Sequence, residues 1–192
     1  IKYANSLKLR MAMRLSYIDE QTAKAKAAEA IADGVITENA DNAKLQPELN
    51  RTALLWNSWQ DHAIGADILC YMNGYKDPRM EKMFLANDVG DYVGIRIGID
   101  VTSKSQAVSK YSNMIVASDT PYLWFNAAEA TFLRAEYELR WGSEETARSL
   151  YEAAVRLSFE ERGASGADAY LAQTDVKPAP YTCLLYKSDA AD

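Results

Sequence analysis

Histidine is all but missing from this chain: His62 is the only one in 192 residues. Any mechanism that needs paired imidazoles is thereby excluded. Cysteine is nearly as scarce. Cys70 and Cys183 can be bridged only if folding brings their Cα atoms within about 7 Å, and two free or buried thiols are the expectation. No run of roughly 18 apolar residues occurs, so no membrane-spanning helix is expected, and no secretory leader is visible. Positive charge is in deficit, 21 Lys and Arg against 27 Asp and Glu, for a net charge of −6. That balance argues against binding nucleic acid or an anionic lipid face by bulk electrostatics. A glycine-rich phosphate loop, a CxxC pair and an HExxH helix are absent too.

What is present is an ordinary globular composition, 48% hydrophobic and 25% charged, sufficient for a core. Within it one helix-turn-helix pattern occurs twice. Leu9, Arg10, Leu15, Glu20, Thr22, Ala23 and Ala30 are matched in type by Leu133, Arg134, Leu139, Glu144, Thr146, Ala147 and Ala154. Each second helix places small residues seven apart, Ala23 and Ala30 or Ala147 and Ala154, with Ala27 or Tyr151 between them. That is the spacing of the second helix of a tetratricopeptide repeat. Small side chains let one helix lie close against its partner. Repeated hairpins of this kind build binding scaffolds more often than catalytic centres.

Along the chain, an amphipathic helix is expected over residues 5–16. Leu7, Met11, Leu15 and Ile18 form its apolar face, and Lys8, Arg10 and Arg14 stay wet. Asp19 caps a second, alanine-rich helix that ends at Gly34. Residues 37–122 behave differently, with recurrent Asn, Asp, Gly and Pro and frequent aromatics. A short helix is expected over 63–72, and a turn at Asp77-Pro78-Arg79. Residues 92–99 read as strand-like, with glycines that permit close approach of another backbone. Helix returns after Pro121 and runs to Trp141. A further helix, capped by Ser143, ends near Gly163, and a shorter one follows over 167–173.

The irregular middle segment holds the candidate binding residues. Trp56 and Trp59 lie among Asn57, Ser58, Gln60 and Asp61. The apolar face of a pyranose can lie flat on an indole while neighbouring amides bond its hydroxyls. The same rings can equally serve as core. The ligand-binding candidates are Trp56, Trp59, Tyr75 and Tyr92, whereas Trp124, Phe125, Phe132 and Tyr137 read as helical and structural. No catalytic residue is assigned. Glu129 and Glu136, seven apart beside Arg134 and Arg140, fit solvated ion pairs better than a catalytic carboxylate pair. Residues 87–92 offer oxygen atoms but lack the EF-hand spacing, so no metal and no cofactor are expected. His62 reads as a structural or surface residue, and Arg79 as internally paired.

Four blocks in order then carry a resemblance. Residues 3–16, the Asp77-Pro78-Arg79 turn, residues 127–136 and residues 147–158 resemble the SusD/RagB family. The resemblance covers most of residues 3–173. It implies a mainly α fold, tetratricopeptide-like hairpins packed with an irregular, aromatic-rich segment holding at most a small β pair. It further implies a non-enzymatic, lipid-anchored protein on the extracellular face of the Bacteroidota outer membrane. Such a protein binds oligosaccharide or peptide nutrients and delivers them to a SusC-type TonB-dependent transporter, touching the membrane only through a lipid anchor that lies outside this fragment. The alternative is an intracellular tetratricopeptide-like adaptor that binds protein partners. On the family reading, residues 1–180 are the C-terminal portion of one SusD-like domain. Residues 181–192, with Cys183-Leu-Leu-Tyr and Ser188-Asp-Ala-Ala-Asp192, resemble translated sequencing adapter and are expected to be non-native.

Overall fold

A computed structural model describes residues 1–101 and 103–173. Its elements, in chain order, are α1 (Lys2–Arg14), α2 (Glu20–Ala32), β1 (Ala43–Leu45), α3 (Arg51–Ala53), α4 (Ala66–Gly74), α5 (Met80–Met83) and β2 (Phe84–Leu85). Then come α6 (Lys104–Lys110), β3 (Asn113–Met114), β4 (Tyr122–Phe125), α7 (Ala127–Trp141), α8 (Glu144–Glu161) and α9 (Ala167–Leu171). The architecture is mainly helical, as expected. Among the described residues the strands form only two pairs, β1 with β4 and β2 with β3. The chain divides into two compact units, whose described parts are residues 1–45 with 123–161 and residues 46–122 with 162–173. The proposed tail and Cys183 lie outside the described residues.

The first unit holds both hairpins. Asp19 caps α2 by accepting a hydrogen bond from the Thr22 amide at 3.0 Å, and Gly34 follows the helix with φ of +88°, the left-handed geometry that glycine supplies without strain. Ala23, Ala27 and Ala30 are fully buried, as are Ala147 and Ala154 on α8. Tyr151 meets Phe132 of α7 edge-on at 5.6 Å. Leu9, Ala12, Met13, Ala27 and Ala30 form one core cluster, against which Leu133, Tyr137 and Trp141 of α7 pack. The two hairpins thus bury their apolar faces on each other, as a repeat that cannot do so alone requires.

The face of α1 differs from the expectation. The residues that go inside are Ser6, Leu9, Ala12 and Met13, while Met11, Leu15 and Ile18 stay exposed. α1 is apolar on more than one side, and the side with the small Ala12 admits the closer neighbour. Arg10 is not a solvated residue either. Its guanidinium clamps Glu129 with two bonds of 2.6 and 2.7 Å and covers the Phe125 ring at 4.1 Å. A second correction concerns α7. Residues 122–125 form β4 rather than a helix, and α7 starts at Ala127, capped by the Asn126 side chain, which accepts from the Glu129 amide at 2.7 Å. Trp124 and Phe125 are therefore strand residues. Pro121 precedes a strand, and an apolar run of four cannot by itself distinguish the two states.

The second unit is built from short elements around Ile64, Leu69, Met72 and Phe84. The short helix is present as α4, beginning at Ala66 rather than Ala63. At the Asp77-Pro78-Arg79 turn the Asp77 side chain is 4% exposed. It accepts from the Arg79 backbone amide at 3.0 Å and from its Nε at 2.9 Å. Burial alone would lower the Arg79 pKa; the Asp77 hydrogen bonds and charge, aided by Tyr170, raise it on balance. Residues 92–99 do not form a strand; a single parallel bridge joins Gly65 to Ile95. The close approach read from the glycines is real at Gly94, where a Cβ would stand 2.5 Å from the Ala66 Cα.

Candidate functional site

The candidate site starts from a widened helical turn. The Asn50 side chain caps α3 by accepting from the Thr52 amide at 2.9 Å. The chain then continues as a π-helical turn over Leu54–Trp59, closed by Gln60 in the left-handed region, φ 54° and ψ 37°. A π turn inside a helix is rare and concentrates at functional sites, and a non-glycine residue in left-handed geometry costs roughly 1–2 kcal/mol. Two amides tether the turn to one neighbouring segment: Asn57 Nδ2 donates to the Val116 carbonyl at 2.7 Å, and Asn113 Nδ2 donates to the Trp56 carbonyl at 3.0 Å. Residues three apart share a face in an α-helix; the wider turn splays them. Trp56 goes inward and Trp59 outward.

The four sequence-predicted aromatics are thereby separated by environment. Trp56 packs against the Ile64 and Phe84 cluster, as does Tyr92, and the Trp56 ring stands 5.5 Å from that of His62. Tyr75 is half-buried and stacks on Tyr71 at 6.4 Å with 21° between the planes. Only Trp59 of the four is exposed, at 54%. Tyr71, exposed and partnered with Tyr75, was not among the sequence candidates; its place on α4 gave no polar-loop signal.

A cleft of about 290 Å³ begins at the residue after Trp59. Gln60, Asp61, His62, Lys104, Tyr111 and Asn113 are its polar lining residues. Asp61 and Lys104 are joined by a 2.6 Å ion pair. Asn113 is largely committed, through Trp56 on one atom and the Met114 amide on the other at 2.8 Å. Ile95 and Val108 contribute apolar surface. A small cleft with hydroxyl, amide and imidazole groups and an apolar wall can hold a molecule that has apolar and hydroxylated faces. Nothing in the local sequence announces Lys104 or Tyr111, since they are more than 40 residues from Asp61.

The remaining candidates are occupied structurally. Glu129 pairs with Arg10, and Glu136 with Arg140 at 2.8 Å. Asn87 organises residues 87–91 as a turn, its Oδ1 accepting from the Val89 and Asp91 amides. Among the described residues no group of three or more His, Cys, Asp or Glu could hold a metal ion, and no helix is long and apolar enough to cross a membrane. Cys70 is free and exposed.

Comparison with known proteins adds the wider context. No curated protein matches the chain. A SusD homolog of Bacteroides thetaiotaomicron is 47% identical, with a TM-score of 0.85, over 90% of this chain and 37% of its own. A SusD homolog of Bacteroides ovatus is 40% identical, TM-score 0.82, over 90% and 39%. A chitin-binding SusD homolog of Flavobacterium johnsoniae is 38% identical, TM-score 0.84, over 91% and 38%. The chain spans less than two-fifths of the length of these relatives. The model of the SusD-like family, described as Susd and RagB outer membrane lipoprotein, matches residues 1–191. With the family model matching across the hairpins and the segment between them, this chain belongs to the SusD-like proteins.

Proposed function

We propose that this chain is part of a non-enzymatic nutrient binder of the outer membrane, facing outward and taking oligosaccharides. Family membership supports this reading over an intracellular adaptor, and one relative of 38% identity binds chitin. The observations that carry it are the exposed indole of Trp59 and the cleft whose lining starts one residue further along the chain, at Gln60. A sugar ring stacks on the indole, and the cleft receives the neighbouring unit. The carboxylate pair weighed for glycoside hydrolysis, Glu129 and Glu136, is engaged with Arg10 and Arg140. Delivery to a SusC-type TonB-dependent transporter completes the reading, with peptide nutrients as the other cargo.

Calorimetry of the full-length protein against a panel of glycans and peptides is the test. Trp59→Ala is expected to weaken glycan binding on the order of tenfold to a hundredfold, if the 1–3 kcal/mol stacking scale of nucleic acids carries over to sugars. Robust turnover of a bound glycan, dependent on one Asp or Glu, would sink the proposal.

A further inference from the structure

The geometry points to a charge rule for the cleft: it takes an uncharged, hydroxyl-rich ring, a neutral sugar unit, and disfavours acidic sugars. This rests on the glycan-binding reading above. At about 290 Å³ the cleft lies at the lower end of ligand pockets and suits one ring rather than an extended chain. Its fixed charges are Asp61 and Lys104, and these neutralise each other at 2.6 Å. The other polar lining groups with hydrogen-bonding capacity are the Gln60 amide, the His62 imidazole and the Tyr111 hydroxyl. Ile95 and Val108 meet the C–H face of a ring. Among the described residues that line the cleft an incoming carboxylate finds no unpaired cation, the Lys110 ammonium lying outside that lining over the Tyr111 ring, 5.3 Å from its centroid. The incoming group must either compete with Asp61 for Lys104 or sit beside the Asp61 carboxylate, where like charge disfavours it. The chain's net charge of −6 adds a weaker repulsion of the same sign.

Asp61 thereby acts as a selectivity residue through Lys104. Both side chains are half or more exposed, so substitution is expected to leave the fold intact. The experiment is calorimetry of the full-length protein at pH 8 and low salt. Each neutral oligosaccharide that binds in the panel is measured beside its C6-oxidised, uronate counterpart. The wild-type protein is expected to prefer the neutral member by tenfold or more. Asp61→Asn leaves the Lys104 ammonium unpaired, and the ratio of uronate to neutral affinity is expected to rise about fivefold, the size of one ion pair in a wet site. Lys104→Gln is expected to show no such rise. Tyr111→Phe is expected to weaken the neutral sugar about fivefold at unchanged melting temperature, the loss of one neutral hydrogen bond. Equal or tighter uronate binding by the wild-type protein, or an unchanged ratio in Asp61→Asn, overturns the charge rule. If the wild-type protein binds no glycan at all, the glycan-binding reading falls and this rule with it. If glycans bind and Trp59→Ala weakens them while the cleft variants do nothing, the charge rule alone falls.

Discussion

Trp56 and Trp59 are three positions apart, yet removing their rings tests different things. Trp59 exposes 54% of its surface and its loss is expected in binding alone. Trp56 is half-buried against Ile64, Leu69, Met72 and Phe84. Trp56→Ala is therefore expected to cost about 2 kcal/mol, less than the 3–5 of a fully buried aromatic, and to lower the melting temperature by roughly 4–8 °C. Thermal denaturation of the two variants side by side checks this; equal melting temperatures would mean that Trp56 contributes no core packing. A second residue makes a pH prediction. Glu29 on α2 is held down to about 2, first by its hydrogen bond to Lys8 on α1 and then by Lys26. The folded pKa lies below the ordinary 4.5, so the stabilising contribution is present above about 4.5 and is lost as pH falls towards 2. The Glu29 carboxyl resonance in an NMR titration is expected to move with a midpoint near 2. In Lys8→Met the midpoint is expected to rise towards the ordinary value. A midpoint unchanged by that substitution would show that Lys8 does not hold the carboxylate.

At the scale of elements, the legible features were those written in local chemistry. Asp19, the alanines of α2 and α8, and Gly34 announced a capped hairpin because cap, small-residue spacing and stop are local properties. The apolar face of α1 was misread because two stripes compete there, and only the neighbours select Leu9 and Met13 over Met11 and Ile18. The strand expected at 92–99 failed for a related reason: alternation supplies the faces, but a strand exists only with a partner. Here the partnership shrinks to Gly65 and Ile95, with the Ala66 amide donating to the Ile95 carbonyl at 2.8 Å and the Ile95 amide to the Ile64 carbonyl at 2.7 Å. Gly94 makes that crossing possible. A Cβ there would meet the Ala66 Cα at 2.5 Å, the Ala66 nitrogen at 2.7 Å and the Gly65 oxygen at 2.7 Å. All three are backbone atoms, so no side chain can rotate away. Gly94→Ala is expected to cost on the order of 1–3 kcal/mol by overpacking and to speed amide exchange at Ala66 and Ile95. Unchanged exchange at both amides would show that the backbone accommodates the methyl group.

For the whole molecule, composition excluded more than it assigned. One histidine leaves no imidazole pair within this chain, and a net charge of −6 argues against polyanion binding by bulk electrostatics. The site was legible only in part, because polar loops with tryptophans can be recognised in a sequence while their convergence cannot. Residues 60–62 and 104–113 meet at the cleft only after folding, and the π turn that separates Trp56 from Trp59 has no signature of its own. The proposed site nevertheless has a character that a bulk measurement can test. Its fixed charges, Asp61 and Lys104, are paired, and the rest of its lining consists of apolar side chains and amide, imidazole and hydroxyl groups. Stacking and neutral hydrogen bonds are not screened by salt, whereas association through exposed charges weakens as the Debye length falls from about 10 Å at 0.1 M to about 3 Å at 1 M. Glycan affinity of the full-length protein is therefore expected to change by less than about twofold between those salt concentrations. A charged protein tail gripped by a helical groove, as the adaptor alternative requires, would lose far more over the same range. A steep salt dependence for a neutral glycan would place the binding energy in charges that this cleft does not offer.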